Sequence, residues 1–213
     1  MRMRPPEPRN DPQAPSRDQV LLRALFFVSG FAAILYQVVW QRTLFALIGI
    51  NVEAVTLIIT AFILGLGLGS LAGGRLSRST PRQLVLRFAA VELLIGVYGL
   101  LSLRLLHHVG LWTLGLSPPA VAAVTLAAVL PPTMAMGATL PILVAYYVRR
   151  FSNVGTAVGG LYFTNTLGSA VAAFVASFVL LGGLGQTRTV WVGAACNFFV
   201  ATVGVVRFRA EVD

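Results

Sequence analysis

Of seven acidic side chains in the 213-residue sequence, Glu92 alone falls well inside a long apolar run. A carboxylate at membrane depth is costly and by default marks a functional site. It could neutralise a cationic solute, carry a coupled proton, or pair with an arginine that reaches inward, such as Arg23 or Arg87. Other apolar runs carry Tyr36, Gln37, Trp40, Thr133, Asn165 and Asn197. Helical spacing aligns Tyr36 with Trp40 and Gln37 with Gln41, giving the first run an aromatic edge and an amide edge. A carboxylate among aromatic faces suits an organic cation, through charge pairing and cation–π contact. Glu92, Tyr36, Gln37, Trp40, Thr133 and Asn165 therefore form the candidate ligand-binding set. The structural alternative is that the amides simply bond between helices.

A second chemical signal is the cluster Pro131, Pro132, Gly137 and Pro141 within the apolar stretch from Pro119 to Val148. Proline removes a backbone donor and clashes with the preceding turn, freeing carbonyls near Ala127 and Ala128. In lipid those groups must be satisfied by protein or by cavity water. The expectation is a broken fourth helix, of the kind from which transporters build sites at the bilayer midplane.

Several chemistries find no support in the sequence. Cys196 is the only cysteine, so no intrachain disulfide and no thiolate metal site can form. His107 and His108 are the only histidines and point in different directions on a helix, so no metal is expected. No cofactor is expected either. No Ser/His/Asp or paired-carboxylate pattern is visible, which argues against an enzyme. The net charge of +9 is carried by arginine without any lysine, scattered at the ends of apolar runs. That distribution is a topology signal and argues against a nucleic-acid partner.

The elements that must position these residues are membrane helices. The chain is 57% hydrophobic and 11% charged, with a mean hydropathy of +0.82. Six runs are long enough to cross a bilayer, near 20–40, 52–71, 84–106, 120–148, 154–181 and 189–208. The expected organisation is a disordered cytoplasmic tail over 1–19, a transmembrane domain over 20–208 and a short cytoplasmic tail over 209–213. Arginines are rich before the first run, between the second and third, after the fourth and at the end, which places both termini in the cytoplasm. An inner membrane of bacterial type is the expected location, with the lipid bilayer as the principal surrounding. His107 to Leu116 reads as an interfacial turn anchored by Trp112. Gly65, Gly69 and Gly73 in the second run, and Gly168 in the fifth, lie on faces nearly free of side chains. Such faces serve tight packing or an assembly surface.

The ordered combination of Tyr36-Gln37-Val38-Val39-Trp40-Gln41-Arg42, Gly73-Gly74-Arg75-Leu76, Glu92-Leu93, Pro131-Pro132-Thr133 through Pro141, and Leu161-Tyr162 with Asn165-Thr166-Leu167-Gly168 is distinctive. It resembles the membrane domain of the fused major-facilitator/spermidine-synthase-like proteins. The resemblance implies an all-α bundle similar to half of a major-facilitator transporter, with polyamines as a natural ligand class. Those proteins commonly add a soluble aminopropyltransferase domain. The present sequence has neither a glycine-rich nucleotide loop nor the matching acidic pair, so synthase activity is not expected of these residues. Two functions compete. One is a transporter-like module that dimerises to handle a polyamine or other organic cation. The other is a non-transporting anchor or scaffold, a subunit of a larger complex or of a separate cytoplasmic enzyme that would dock near Arg207 to Asp213.

Overall fold

The computed structural model describes residues 16–49 and 52–209, so most of the two expected tails lies outside the described residues. Within them the protein is an all-helical bundle. Its helices are α1 (Arg17–Ile48), α2 (Val52–Leu76), α3 (Pro81–Trp112), α4 (Pro118–Phe151), α5 (Val154–Gly183) and α6 (Gly185–Arg209). Each is long and apolar enough to cross a membrane. Starts are set locally. Ser16 and Thr80 close capping boxes with Gln19 and Gln83. Asn153 caps α5 through the Thr156 amide, and Pro81 and Pro118 open α3 and α4, where no donor is needed.

Three expectations change. Capping at Ser16 starts α1 at Arg17, ahead of the expected tail boundary. The supposed interfacial turn after His107 is instead the last stretch of α3, which runs through Trp112 and ends where Thr113 bonds back to Val109. The third concerns α4, which is continuous α-helix through Pro131, Pro132, Gly137 and Pro141. One of the carbonyls left without a donor is served by a neighbouring helix, and a hydroxyl adds bonding in the same turn. The Ala128 carbonyl, deprived of a donor at Pro132, accepts from the Tyr98 hydroxyl of α3. Thr133 Oγ1 donates within the same turn, 3.0 Å to Val129 O and 2.9 Å to Leu130 O.

The helices pair in a pattern that maps onto itself. The most extensive packing is α2 on α4, α1 on α5 and α3 on α6, followed by α3 on α4 and α1 on α6. Exchanging α1, α2 and α3 for α4, α5 and α6 preserves this set, while the weaker α1–α3 and α5–α6 contacts have no counterpart of similar extent. Because three spans reverse the chain's direction, the two halves are inverted repeats.

The two crossings of α2 with α4 and α1 with α5 are built alike. A Cβ on Gly69 would lie 2.0 Å from Met134 O, and one on Gly137 2.3 Å from Leu66 O. At the other crossing a Cβ on Gly168 would lie 2.1 Å from Phe27 O, and one on Gly30 2.3 Å from Asn165 O. In both, the two contacts sit three residues apart on each helix. Gly69 and Gly168 each lie in the triplet Leu-Gly-Ser, at 68–70 and 167–169. Gly65 and Gly73 extend the first crossing, against Thr133 and Ala138.

The face carrying the first and last helix ends is tied by charge. Asp18 accepts from Arg207 at 2.8 Å and Arg150 at 3.4 Å, joining α1, α6 and α4. Arg149 donates to Ser77 O at 3.1 Å, and Arg87 to Leu76 O and Ser79, which fixes the turn between α2 and α3.

Candidate functional site

A cavity of about 260 Å³ lies between the two glycine crossings, and all six helices contribute to its wall. Its polar lining comes from Ser29 of α1, Ser70 of α2, Thr139 of α4, Tyr162 and Asn165 of α5, and Asn197 of α6. Asn197 stands twelve residues before Arg209, about 18 Å of helix, which sets the cavity deep in the bundle. The symmetry of the fold runs through the wall. Ser29 and Met136 occupy equivalent positions beside Gly30 and Gly137, as do Leu66 and Asn165 beside Gly69 and Gly168.

Glu92 is fully buried directly behind this wall. Its Oε1 accepts from Ser29 Oγ at 2.6 Å, and its Oε2 accepts from Asn197 Nδ2 at 2.7 Å. Asn197 Oδ1 accepts in turn from the Tyr36 hydroxyl at 2.8 Å. Among the described residues no cation pairs with the carboxylate. The arginines expected as its partners are engaged elsewhere, Arg87 on the α2–α3 turn and Arg23 on the Tyr147 hydroxyl at 3.4 Å. Glu92 is therefore held by neutral donors, one hydrogen bond from a cavity that it does not itself line. The two donors engage both carboxyl oxygens, which lie a single layer of side chains behind the cavity.

The remaining members of the candidate set divide sharply. Asn165 lines the cavity and donates through Nδ2 to Phe26 O at 3.1 Å, leaving its carbonyl oxygen as an acceptor. Tyr36 is linked to the site only through Asn197. It stacks on Trp40 at 5.5 Å, which also packs on Phe62 and Tyr98 and donates from Nε1 to Ser102 Oγ at 2.9 Å. Trp40 is 1% exposed and lies in a closed aromatic core, where no ring face is left for a ligand. A Cβ on Gly99 would fall 2.4 Å from the Tyr36 ring, so that residue makes room for the tyrosine. Gln37 is half-buried on α1 outside the cavity wall, and Thr133 is buried on the α2–α4 crossing, where its hydroxyl is used by backbone.

Ser29 and Thr139 join the site although neither belonged to the candidate set. A lone serine in an apolar helix carries no sequence signal by itself. Its place one residue before Gly30, as Met136 precedes Gly137, becomes informative only once the repeat is recognised.

No family model matches the chain, and no solved structure gives a significant match. Among curated proteins the chain is similar to Polyamine aminopropyltransferase 1 of Ralstonia nicotianae, with 26% identity across 94% of this chain and 37% of that protein. It is similar to Polyamine aminopropyltransferase 1 of Streptomyces coelicolor, with 28% identity across 95% of this chain and 36% of the relative. Polyamine aminopropyltransferase 2 of the same organism shares 30% identity across 85% of this chain and 33% of its own length. The chain thus spans about a third of the length of the curated relatives it matches.

Proposed function

We propose that this chain is a membrane-embedded, transporter-like module that admits a small organic cation of the alkylamine class, with polyamines as the leading candidates. The observation that carries this reading is the cavity wall of Ser29, Asn165 and Asn197 backed by the buried Glu92 carboxylate. An ammonium group in the cavity would find acceptors in Asn165 and Ser29 and a negative charge immediately behind them, in a medium where that charge is weakly screened. The polyamine-directed names of the similar proteins point to the same solute class.

The cavity borders Ser70 and Tyr162, both exposed, so a second copy facing α2 and α5 would close it. We accordingly place the working unit as a dimer in a cytoplasmic membrane, with the arginine-rich face of Arg149, Arg150 and Arg207 inward. The competing scaffold reading uses glycine faces for assembly or a partner docked at the C-terminal end. Gly65, Gly69, Gly73 and Gly168 pack against α4 and α1, whereas Gly67, Gly74 and Gly159 face open space.

Equilibrium binding of radiolabelled spermidine to the purified protein tests the proposal. Glu92→Gln should weaken binding at least tenfold, while a neutral diol of matching length should not compete. Unchanged affinity in Glu92→Gln would remove the carboxylate, and with it the cation reading.

A further inference from the structure

Arg23 and Arg42 each stand six residues inside an end of α1, which runs from Arg17 to Ile48. At about 1.5 Å per residue their Cα atoms are separated by about 28 Å along the axis, close to the roughly 30 Å hydrocarbon thickness of a bilayer. That spacing lets both guanidinium groups reach a boundary between acyl chains and headgroups, and the two are treated differently. Arg23 is turned into the protein, against Gly160 and the Tyr147 hydroxyl. Arg42 is exposed, and among the described residues no hydrogen bond or ion pair engages it. It lies, with Arg104 and Arg188, at the bundle end where arginines are scarce, so the topological bias does not account for it.

Beside Arg42 is a groove of about 470 Å³ between α1 and the end of α5, lined by Val38, Gln41, Arg42, Phe45, Ser177 and Leu181. Its shape follows from a π turn over Ala176–Leu180, where the Leu181 amide bonds back to Ala176 O and the helix widens. The guanidinium, amide and hydroxyl lie midway along the groove, with Val38 a turn deeper on α1 and Phe45 and Leu181 a turn nearer the helix ends. The rest is apolar and opens beside Phe178, which is 74% exposed. A free inorganic anion would leave that apolar length unused, whereas a two-part ligand uses it.

We propose that this groove seats an anionic phospholipid of the leaflet opposite the chain termini. Arg42 pairs with the phosphodiester, Gln41 and Ser177 complete its hydrogen bonding, and Val38, one turn deeper on α1, carries the first acyl methylenes. The site is separate from the central cavity and does not depend on what that cavity binds.

Native mass spectrometry of the delipidated protein, mixed with phosphatidylglycerol at fixed excess, reads the site directly. Arg42→Gln should lower the lipid-bound fraction at least fivefold. Ser177→Leu, which fills the groove and keeps the charge, should lower it too and carries the test alone if Arg42→Gln does not fold. Arg104→Gln, an exposed guanidinium on α3 outside the groove, should leave it unchanged. Retention of lipid in the groove variants would overturn the proposal, as would equal loss in Arg104→Gln. Displacement of the lipid by millimolar inorganic phosphate would also overturn it, since the site would then be one for free phosphate.

Discussion

The crossing of α2 with α4 and the crossing of α1 with α5 solve one backbone problem twice, and then diverge in what they present to the cavity between them. Both bring helix axes together on paired glycines, Gly69 with Gly137 and Gly168 with Gly30. The first places Leu66 and Met136 on the cavity beside its glycines, with Ser70 and Thr139 farther along the same helices. The second places Asn165 and Ser29 at the equivalent positions, and Ser169 donates to Gly30 O at 3.2 Å across the helices. Close packing is thus common to the two crossings. The polar positions Ser29 and Asn165 distinguish them, and they fall on the side that Glu92 backs.

The equivalence of the two crossings is the part most easily broken, and the expected effect is the largest. Gly69→Ala and Gly168→Ala each drive a methyl group into a backbone carbonyl that no rotamer change can move, so the helices must separate. Each should cost about 3 kcal/mol, the upper part of the usual range for overpacking. Reversible unfolding in mixed micelles would measure both. If Gly69→Ala were tolerated while Gly168→Ala was not, the crossings would not be equivalent, and the repeat would be a resemblance of pattern without shared energetics.

The bundle, its six spans and the depth of Glu92 were legible in the sequence because hydrophobic length and rare charge are local signals. The glycine spacing at 65, 69 and 73 was legible too, although not which surface it would serve. The prolines of α4 were overread. A proline reports only a missing donor, and whether the helix breaks depends on a hydroxyl such as that of Tyr98, thirty positions from the Ala128 carbonyl it serves. Tyr36 and Trp40 were placed on a ligand surface by their spacing, which fixes their direction from α1 but not what stands there. Gly99, Phe62 and Tyr98 close over them instead.

A second test sharpens the contrast between the two walls. Glu92→Ala leaves the Ser29 hydroxyl and the Asn197 amide without their buried acceptor, at an expected cost of about 2 kcal/mol. Adding Asn197→Leu to that variant removes one of the stranded donors, and part of the loss should return. Thermal unfolding of the two single variants and the double variant closes the cycle. Strict additivity would mean that the carboxylate and the amide are neighbours without being coupled, and the polar wall would lose its claim to act as one unit.

The smallest effect addresses the asymmetry itself. Asn165→Leu gives the second crossing the residue that the first carries as Leu66, removing one interhelical hydrogen bond to Phe26 O. Such bonds in membrane bundles contribute about 1 kcal/mol or less, so the fold should persist with a slightly lower unfolding midpoint. Amine binding should fall well beyond what that stability change implies, because the cavity loses an acceptor while Glu92 stays in place. The reciprocal Leu66→Asn puts an amide on the opposite wall, away from the carboxylate's two donors. If Leu66→Asn in the Asn165→Leu background restored binding in full, position relative to Glu92 would be irrelevant. The cavity would then select its ligand by polarity alone, and the divergence of the two crossings would be without functional content.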